Sequence, residues 1–483
     1  MKFLFYFLFS ITYLLPNIII SDFIVDINGV PINNANIYTQ NNIGTISDDK
    51  GYFNLECNKN DIITISHIAY KDITISATLI KDNIVMSKSL VQSDQVVING
   101  SNISNTLSHS TGLSIIKEPI SASNTHFDDI INMATSLFYS DGTSRPRYFQ
   151  IRGIGDISQF AGEGPPNFYV GYTVDGIDFS GMGSSTIITD IDQIEIFKGS
   201  HSVIHGSNAM AGNINIVSKD PTQYQNGHIS LSFGNYNTYN VSSSYSNKLF
   251  NNLYHRFSFS INKSDGFIYN EFHNSKKTDK ISESMIRYKV SFIPSKNISH
   301  KLTTYGIIIN NGYDRWSPNN NGSSTYADFI GNDYQKVMAL NYKANIMIKA
   351  IKFTNSLSLL HSKMEYSYDG DWGNNQYWAN EYSWEIDSNI FDFTSSQLFP
   401  YGYYSYEFLD ITNRSRNFIS NKSNIEFEIY KTKFLAGIFL SDHKEADNRK
   451  GWLFGGVGDS LYSKYDLKTF GIYGSIKKEI FKK

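Results

Sequence analysis

The stretch from Gln150 to Pro221, QIRGIGDISQFAGEGPPNFYVGYTVDGIDFSGMGSSTIITDIDQIEIFKGSHSVIHGSNAMAGNINIVSKDP, decides the fold. Four short strand patterns, YFQIRGIG, NFYVGYTVDGI, DQIEIFKG and NINIVSK, are cut by glycine. Glycine permits tight turns and close backbone approach, so the stretch predicts a compact domain of short strands. Just before it, Phe127 to Phe138 carries apolar residues at 127, 130, 131, 134, 137 and 138. That spacing predicts a short amphipathic helix, with Thr125 as N-cap and Asp128 and Asp129 in its first turn.

After Gly227 the pattern changes to alternation. HISLSFG sets Ile229, Leu231 and Phe233 opposite Ser230 and Ser232. RFSFSI, KFTNSLSL and NIEFEIY follow the same rule, the last with Glu426 and Glu428 on its polar face. An apolar face outward and a polar face inward is the pattern of a transmembrane β-barrel around a wet lumen; a soluble sandwich would turn its apolar face to a core. The long polar loops at 311–336 and 366–406 favour the barrel.

The N-terminus, MKFLFYFLFSITYLLPNIIIS, combines Lys2, an apolar run from Phe3 to Leu15 and a break at Pro16. It predicts a signal peptide over residues 1–21; a single membrane anchor is the rival. Residues 22–88 alternate between turn signals and apolar runs and predict a small β-sandwich filled by Ile24, Ile37, Tyr38, Phe53, Leu55, Ile63, Ile65 and Ile73. Residues 89–126 read as a linker rich in Ser, Asn and Thr, holding SDQVVING. That short β-branched run could add a strand to a partner's sheet edge or be an ordinary strand. The single Cys57 excludes an internal disulfide. With net charge −3 over 483 residues, nothing points to nucleic acid. Aromatics at 15% fit interfacial girdles.

These motifs resemble the TonB-dependent outer-membrane receptors. The resemblance rests on IRGIG at 151–155, VGYTVDGI at 170–177 and DIDQIEIFKGSHSVIHGSNAMAGNINIVSK at 190–219. NGVPINNANIY, GTISDDKGYFNL and DIITISHIAYK resemble a carboxypeptidase-regulatory-like domain without peptidase activity. The resemblance implies a mainly β chain: an N-terminal β-sandwich, an α+β plug domain over 127–222, and an antiparallel transmembrane β-barrel over 223–483. It implies a receptor in the cell outer membrane that imports a scarce siderophore, cobalamin or glycan, with no cofactor. Its partners would be TonB, with ExbB and ExbD as energy supply, and outer-membrane lipid. DQVVING, Asp94, Gln95, Val96, Val97, Ile98, Asn99 and Gly100, matches the TonB box in position and character. A non-transporting adhesin and a non-functional receptor remnant are the alternatives.

Within the plug, Arg152, Gly153, Gly155, Asp175, Gly176, Glu195, Lys198, Gly199, Gly206 and Gly212 are expected to be structural. Arg145, Arg147, Arg152, Glu195 and Lys198 are expected to pair with wall carboxylates such as Glu426 and Glu428. Ligand contacts are expected from Phe160, Pro165, Pro166 and Phe179 of the plug and from Tyr313, Trp316 and Trp372 of the loops, where aromatic rings also serve as rim anchors. His201 and His205 have the spacing of helical metal ligands but sit in a glycine-rich turn, so no metal is expected. No nucleophile elbow, HExxH or P-loop occurs, which leaves no enzymatic reading.

The wall is short for this family. At about 9–11 residues per crossing, ~22 strands need about 200–240 residues before any loop. Residues 228–483 yield about a dozen strand patterns. The expectation is a partial barrel, from a fragment or a chain complemented by another.

Overall fold

The computed structural model describes residues 17–26, 29–40, 43–67, 70–80, 83–86, 112–117, 125–140, 144–155, 168–182, 188–200, 208–313, 316–370, 372–374, 377, 409–451 and 461–478. These fall into two units, residues 1–99 and 100–483.

The first unit is a two-sheet sandwich. Its strands are β1 (Asn17–Asp26), β2 (Asn36–Thr39), β3 (Gly44–Ile46), β4 (Tyr52–Asn58), β5 (Ile62–His67), β6 (Tyr70–Ser76) and β7 (Ile84–Met86). They form the sheets β4-β1-β7 and β3-β2-β5-β6. Alternate residues Ile24, Ile37, Phe53, Leu55, Ile63 and Ile65 fill the core, with Cys57 and Ile20. Tyr38, next to Ile37 on β2, points outward instead. β1 starts at Asn17 and pairs with β4 from Asn17↔Asn58 to Phe23↔Tyr52. Residues 17–21, assigned by sequence to the signal peptide, are therefore half of a sandwich strand.

In the second unit the plug strands are β8 (Gly112–Lys117), β9 (Leu137–Ser140), β10 (Tyr148–Ile151), β11 (Ile154–Gly155), β12 (Val170–Val174), β13 (Ile177–Asp178), β14 (Ile191–Lys198) and β15 (Gly212–Ser218). They form the sheets β13-β12-β15-β14-β8 and β11-β10-β9. β8 lies in the stretch expected to be linker, and is the edge strand beside β14. The expected helix is a 3₁₀ segment over Phe127–Met133, and Leu137 and Phe138 belong to β9. Its N-cap is His126 rather than Thr125, and the Asp129 carboxylate accepts from the His126 and Thr125 backbone N–H groups at 3.0 and 2.7 Å.

Among the described residues ten strands form the wall in one antiparallel sheet, ordered β16-β17-β18-β20-β21-β23-β24-β25-β26-β27. They are β16 (Asn226–Gly234), β17 (Thr238–Phe250), β18 (Leu253–Ser264), β20 (Ile281–Ser295), β21 (Ile298–Gly312), β23 (Asn332–Ile348), β24 (Ile351–Asp369), β25 (Leu409–Ile429), β26 (Thr432–Gly451) and β27 (Leu461–Lys478), with β19 (Tyr269–Asn270) and β22 (Ser324–Thr325) pairing in the loops. Among the described residues β16 and β27 are open edges. Every strand pairs with its neighbours in sequence. Two-residue turns such as Tyr430–Lys431, both at positive φ, close one end of the sheet, and long loops lie at the other. That asymmetry is the one outer-membrane barrels show, with short turns toward the periplasm.

Alternation sets the two faces. Phe434, Ala436, Ile438 and Leu440 of β26 point outward, and the same row continues into Asp442 and Lys444. The inner face is not uniformly polar, as the sequence pattern implied. Ser258 and Ser260 are inward, but so are Met285, Tyr305, Ile307, Ile309, Val337, Ala339, Leu360 and Phe418, which join the plug core in one apolar cluster. Runs such as GIIIN are ambiguous by alternation alone, because either face could take the isoleucines.

The outward band makes a depth prediction. Ile438→Arg should destabilise the protein in lipid by about 2–4 kcal/mol, whereas Asn448→Arg, on the same row beyond the band, should cost about 0–1 kcal/mol. Urea unfolding in vesicles separates the two.

Candidate functional site

The plug is seated on the wall by hydrogen-bonded charges at its two ends. Toward the long loops, Arg145 donates to Glu283 of β20 through Nε at 2.8 Å and Nη2 at 3.1 Å, and reaches Asp128 at 3.3 Å. Asn311 donates to the same Glu283 at 2.8 Å, and His126 stands 3.3 Å from it. Arg147 pairs with Asp333 of β23, lies over the Tyr366 ring at 5.4 Å, and Ser144 Oγ donates to Asp333 at 2.7 Å. Toward the short turns the signs reverse. Asp190 of the plug accepts from Arg256 Nε at 2.6 Å and Ser258 Oγ at 2.6 Å. Asp175 accepts from Lys289 at 3.1 Å and Tyr305 at 2.6 Å. Lys289 also donates to the Ser218 carbonyl at 2.8 Å, and Asp220 pairs with Lys301.

The turn that presents Asp175 explains its geometry. Asp175 and Gly176, at φ 48° and 81°, form the two-residue hairpin between β12 and β13. Both central residues of a type I′ turn need positive φ, which Asp tolerates and Gly prefers. Arg152 and Gly153, at φ 54° and 78°, repeat this between β10 and β11. Gly155 and Gly212 serve close approach: a Cβ there would stand 2.2 Å from the Phe149 carbonyl oxygen and 2.3 Å from that of Phe197. Gly199 ends β14 at φ 147°. Gly206 lies outside the described residues.

Burial alone would raise the carboxyl of Asp175, but Lys289 and Arg287 outweigh it and hold it at about 2. Asp190 and Asp220 are likewise held down, burial being outweighed by Arg256 and Arg287 for the first and by Lys301 and Lys289 for the second. Arg145 is held up: burial acts against its charge, and Glu283 prevails. Glu195 differs. It is fully buried, accepts from Gln193 at 2.5 Å and Asn215 at 2.8 Å, and burial pushes it up because both partners are neutral.

Several expected contacts are therefore corrected. Glu195 pairs inside the plug, and Lys198 donates to Thr135 at 2.7 Å. The guanidinium of Arg152 lies beside Gly112 of the plug. Glu426 is 3.9 Å from Lys352, another wall residue. Glu428 is exposed. The wall partners that matter, Glu283, Arg287 and Lys289, alternate in SESMIRYKVS. Charges at every second position of an otherwise Ser- and Met-lined inner face were the signal that could have found them.

The aromatic candidates separate by depth. Phe179 is fully buried against Tyr305, ring centres 6.0 Å apart, so it packs the plug rather than meeting a ligand. Tyr313 is buried with Met364 and Tyr366. Trp316 and Trp372 are about half exposed at the long-loop end, ring centres 6.3 Å apart, and Trp316 Nε1 donates to the Tyr313 hydroxyl at 3.3 Å. Tyr326 and Tyr377 lie beside each other at 4.3 Å. Phe160, Pro165, Pro166, His201, His205 and Asp94–Gly100 lie outside the described residues.

Residues 114–213 match the TonB-dependent Receptor Plug Domain, and residues 23–98 match the CarboxypepD_reg-like domain. The chain carries a region similar to the plug domain of TonB-dependent receptors, preceded in sequence by one similar to a carboxypeptidase-regulatory-like domain. The plug-domain family is one of transport receptors, not of enzymes. The fold is similar to the ferric yersiniabactin uptake receptor of Yersinia pestis at 13% identity and TM-score 0.54, over 77% of this chain and 62% of that one. It is similar to the ferripyoverdine receptor of the outer membrane of Pseudomonas aeruginosa at 11% identity and TM-score 0.56, over 77% and 50%. The ferric citrate transporter FecA, unliganded, matches at 10% identity and TM-score 0.55, over 78% and 55%. The chain thus spans about half to three-fifths of the length of these structures and shares their fold over that span.

The depressed carboxyls fix the sign of a pH response. A group whose folded pKa lies below its unfolded value adds stability above the unfolded pKa, about 3.9, and loses it as pH falls through the folded one. For Asp175 that window runs from about pH 4 to pH 2, and the contribution is about 2–3 kcal/mol. Asp175→Asn should lower the melting temperature at pH 7 and show a shallower loss between pH 4 and pH 2 than the unaltered protein.

Proposed function

We propose that the receptor imports a scarce ligand across the outer membrane, siderophore, cobalamin or glycan in class, with TonB pairing onto Asp94–Gly100 and drawing the plug aside. The observation that carries this is the seating of the plug. Its ends are held by charges that each face a hydrogen-bonded partner on the wall, and such pairs exchange for water when separated. The TonB run lies in the sequence just ahead of β8, the edge strand of the plug sheet, so tension there reaches the strand with a single neighbour first.

Among ligand classes, a ferric siderophore is favoured. The similar solved structures are an uptake receptor for ferric yersiniabactin, a ferripyoverdine receptor and a ferric citrate transporter. The exposed Trp316 and Trp372 offer aromatic surface for a flat chelate at the long-loop end. Energy would come through ExbB and ExbD.

Deleting residues 94–100 should abolish uptake of a radiolabelled ligand by whole cells while surface binding persists; uptake at the original rate removes TonB from the account. Trp316→Ala with Trp372→Ala should weaken binding of a ferric siderophore about tenfold to a hundredfold, or about 1.4–2.8 kcal/mol. Fluorescence quenching measures this, and unchanged affinity would make the pair a rim anchor.

A further inference from the structure

At the short-turn end of the wall, three lysines share one row across four strands. Lys301 of β21 is directly opposite Lys343 of β23, Lys343 is opposite Ser356 of β24, and Ser356 is opposite Lys422 of β25. Residues directly opposite share a face of the sheet. Lys301 binds Asp220 of the plug end, so the face is the one turned to the plug. Two positions along β24, Ser358 Oγ donates to the Gly176 carbonyl at 3.0 Å. The lysine row therefore lies one step past the β12–β13 turn, toward the short turns.

The acids on this face are already engaged. Asp220 is shared by Lys301 and Lys289, and Glu426 lies 3.9 Å from Lys352. Among the described residues neither Lys343 nor Lys422 has a carboxylate within salt-bridge distance, the nearest acids to Lys343 being the same Asp220 and Glu426. The Lys422 ammonium lies 6.0 Å from the Tyr473 ring centre. Ser356 accepts from Asn341 Nδ2 at 2.8 Å, which leaves its own O–H as a donor between the two lysines. Adjacent strands are about 4.8 Å apart, so the backbones of Lys343 and Lys422 stand about 10 Å apart, within reach of two converging lysine stems. Like charges on one face repel, directly for the opposed Lys301 and Lys343 and across one strand for Lys343 and Lys422, and an anion between Lys343 and Lys422 converts repulsion into charge-assisted hydrogen bonds.

We propose that Lys343, Ser356 and Lys422 form an anion site on the plug-facing side of the wall, for a molecule bearing phosphate or carboxylate oxygens. It lies at the opposite end of the strands from Trp316 and Trp372. It holds whether or not the receptor imports a siderophore, because the occupant is recognised by charge and donors alone.

The test uses the purified full chain in detergent, with inorganic phosphate against chloride at equal ionic strength. Phosphate should raise the melting midpoint saturably, and calorimetry should give a Kd at least tenfold weaker in Lys343→Gln with Lys422→Gln. Lys343→Arg with Lys422→Arg should retain binding. In phosphate-free, low-salt buffer the glutamine variant should melt no lower than the unaltered protein, since repulsion has been removed. An absent saturable response in the unaltered protein, an equal response in the glutamine variant, or a lower melting midpoint of that variant without phosphate would each overturn the site.

Discussion

A charge taken out of water must meet an opposite charge or a full set of hydrogen bonds, and the second unit of this chain is organised around that constraint. The plug presents Arg145 and Arg147 at one end and Asp175, Asp190 and Asp220 at the other, and the wall answers with Glu283 and Asp333, then with Arg256, Lys289 and Lys301. Because the two sets have opposite sign order, the plug can be satisfied in one orientation only. Turning it end for end would set arginine against arginine. Between the two rims, Ile194, Ile196, Ile214 and Tyr172 merge with Ile307, Ile309 and Val337 in a shared apolar layer. The apolar layer fills the space between the rims, and the charges choose the pose.

The parts of the fold readable from sequence are those governed by local rules. Asp175–Gly176 and Arg152–Gly153 announce two-residue hairpins because positive φ is a property of single residues. The outward isoleucines of β16 and β26 follow from a period of two. Partner choice was not readable, because it depends on register between strands far apart in the chain. Glu283 meets Arg145 across more than a hundred residues, and no spacing within either segment encodes that meeting. Glu426 looked like an inward carboxylate, and it is, but it stands too near the short turns to reach a plug arginine. Depth was equally hidden for aromatics: Phe179 and Trp316 both sit in turn-rich sequence, and only the packing of Tyr305 distinguishes an anchor in the core from a ring at the surface.

The two ends of the wall consequently differ in chemistry as well as in loop length. The long-loop end carries paired aromatic rings and arginine–carboxylate pairs such as Arg414–Asp447 and Arg449–Asp410. The short-turn end carries an excess of lysine. A solute moving from one end to the other would pass from a surface that recognises flat rings to one that recognises negative charge.

Strand order also bears on how the unit assembles. Each wall strand pairs with its neighbour in sequence, so the sheet can grow hairpin by hairpin with short loop closures. The plug sheet instead joins β8 to β14 and β12 to β15 across long separations. A wall completed alone would leave Glu283, Asp333, Arg287 and Lys289 facing emptiness, and a plug formed alone would leave Arg145 and Asp175 in the same position. Each half is therefore the counterion of the other.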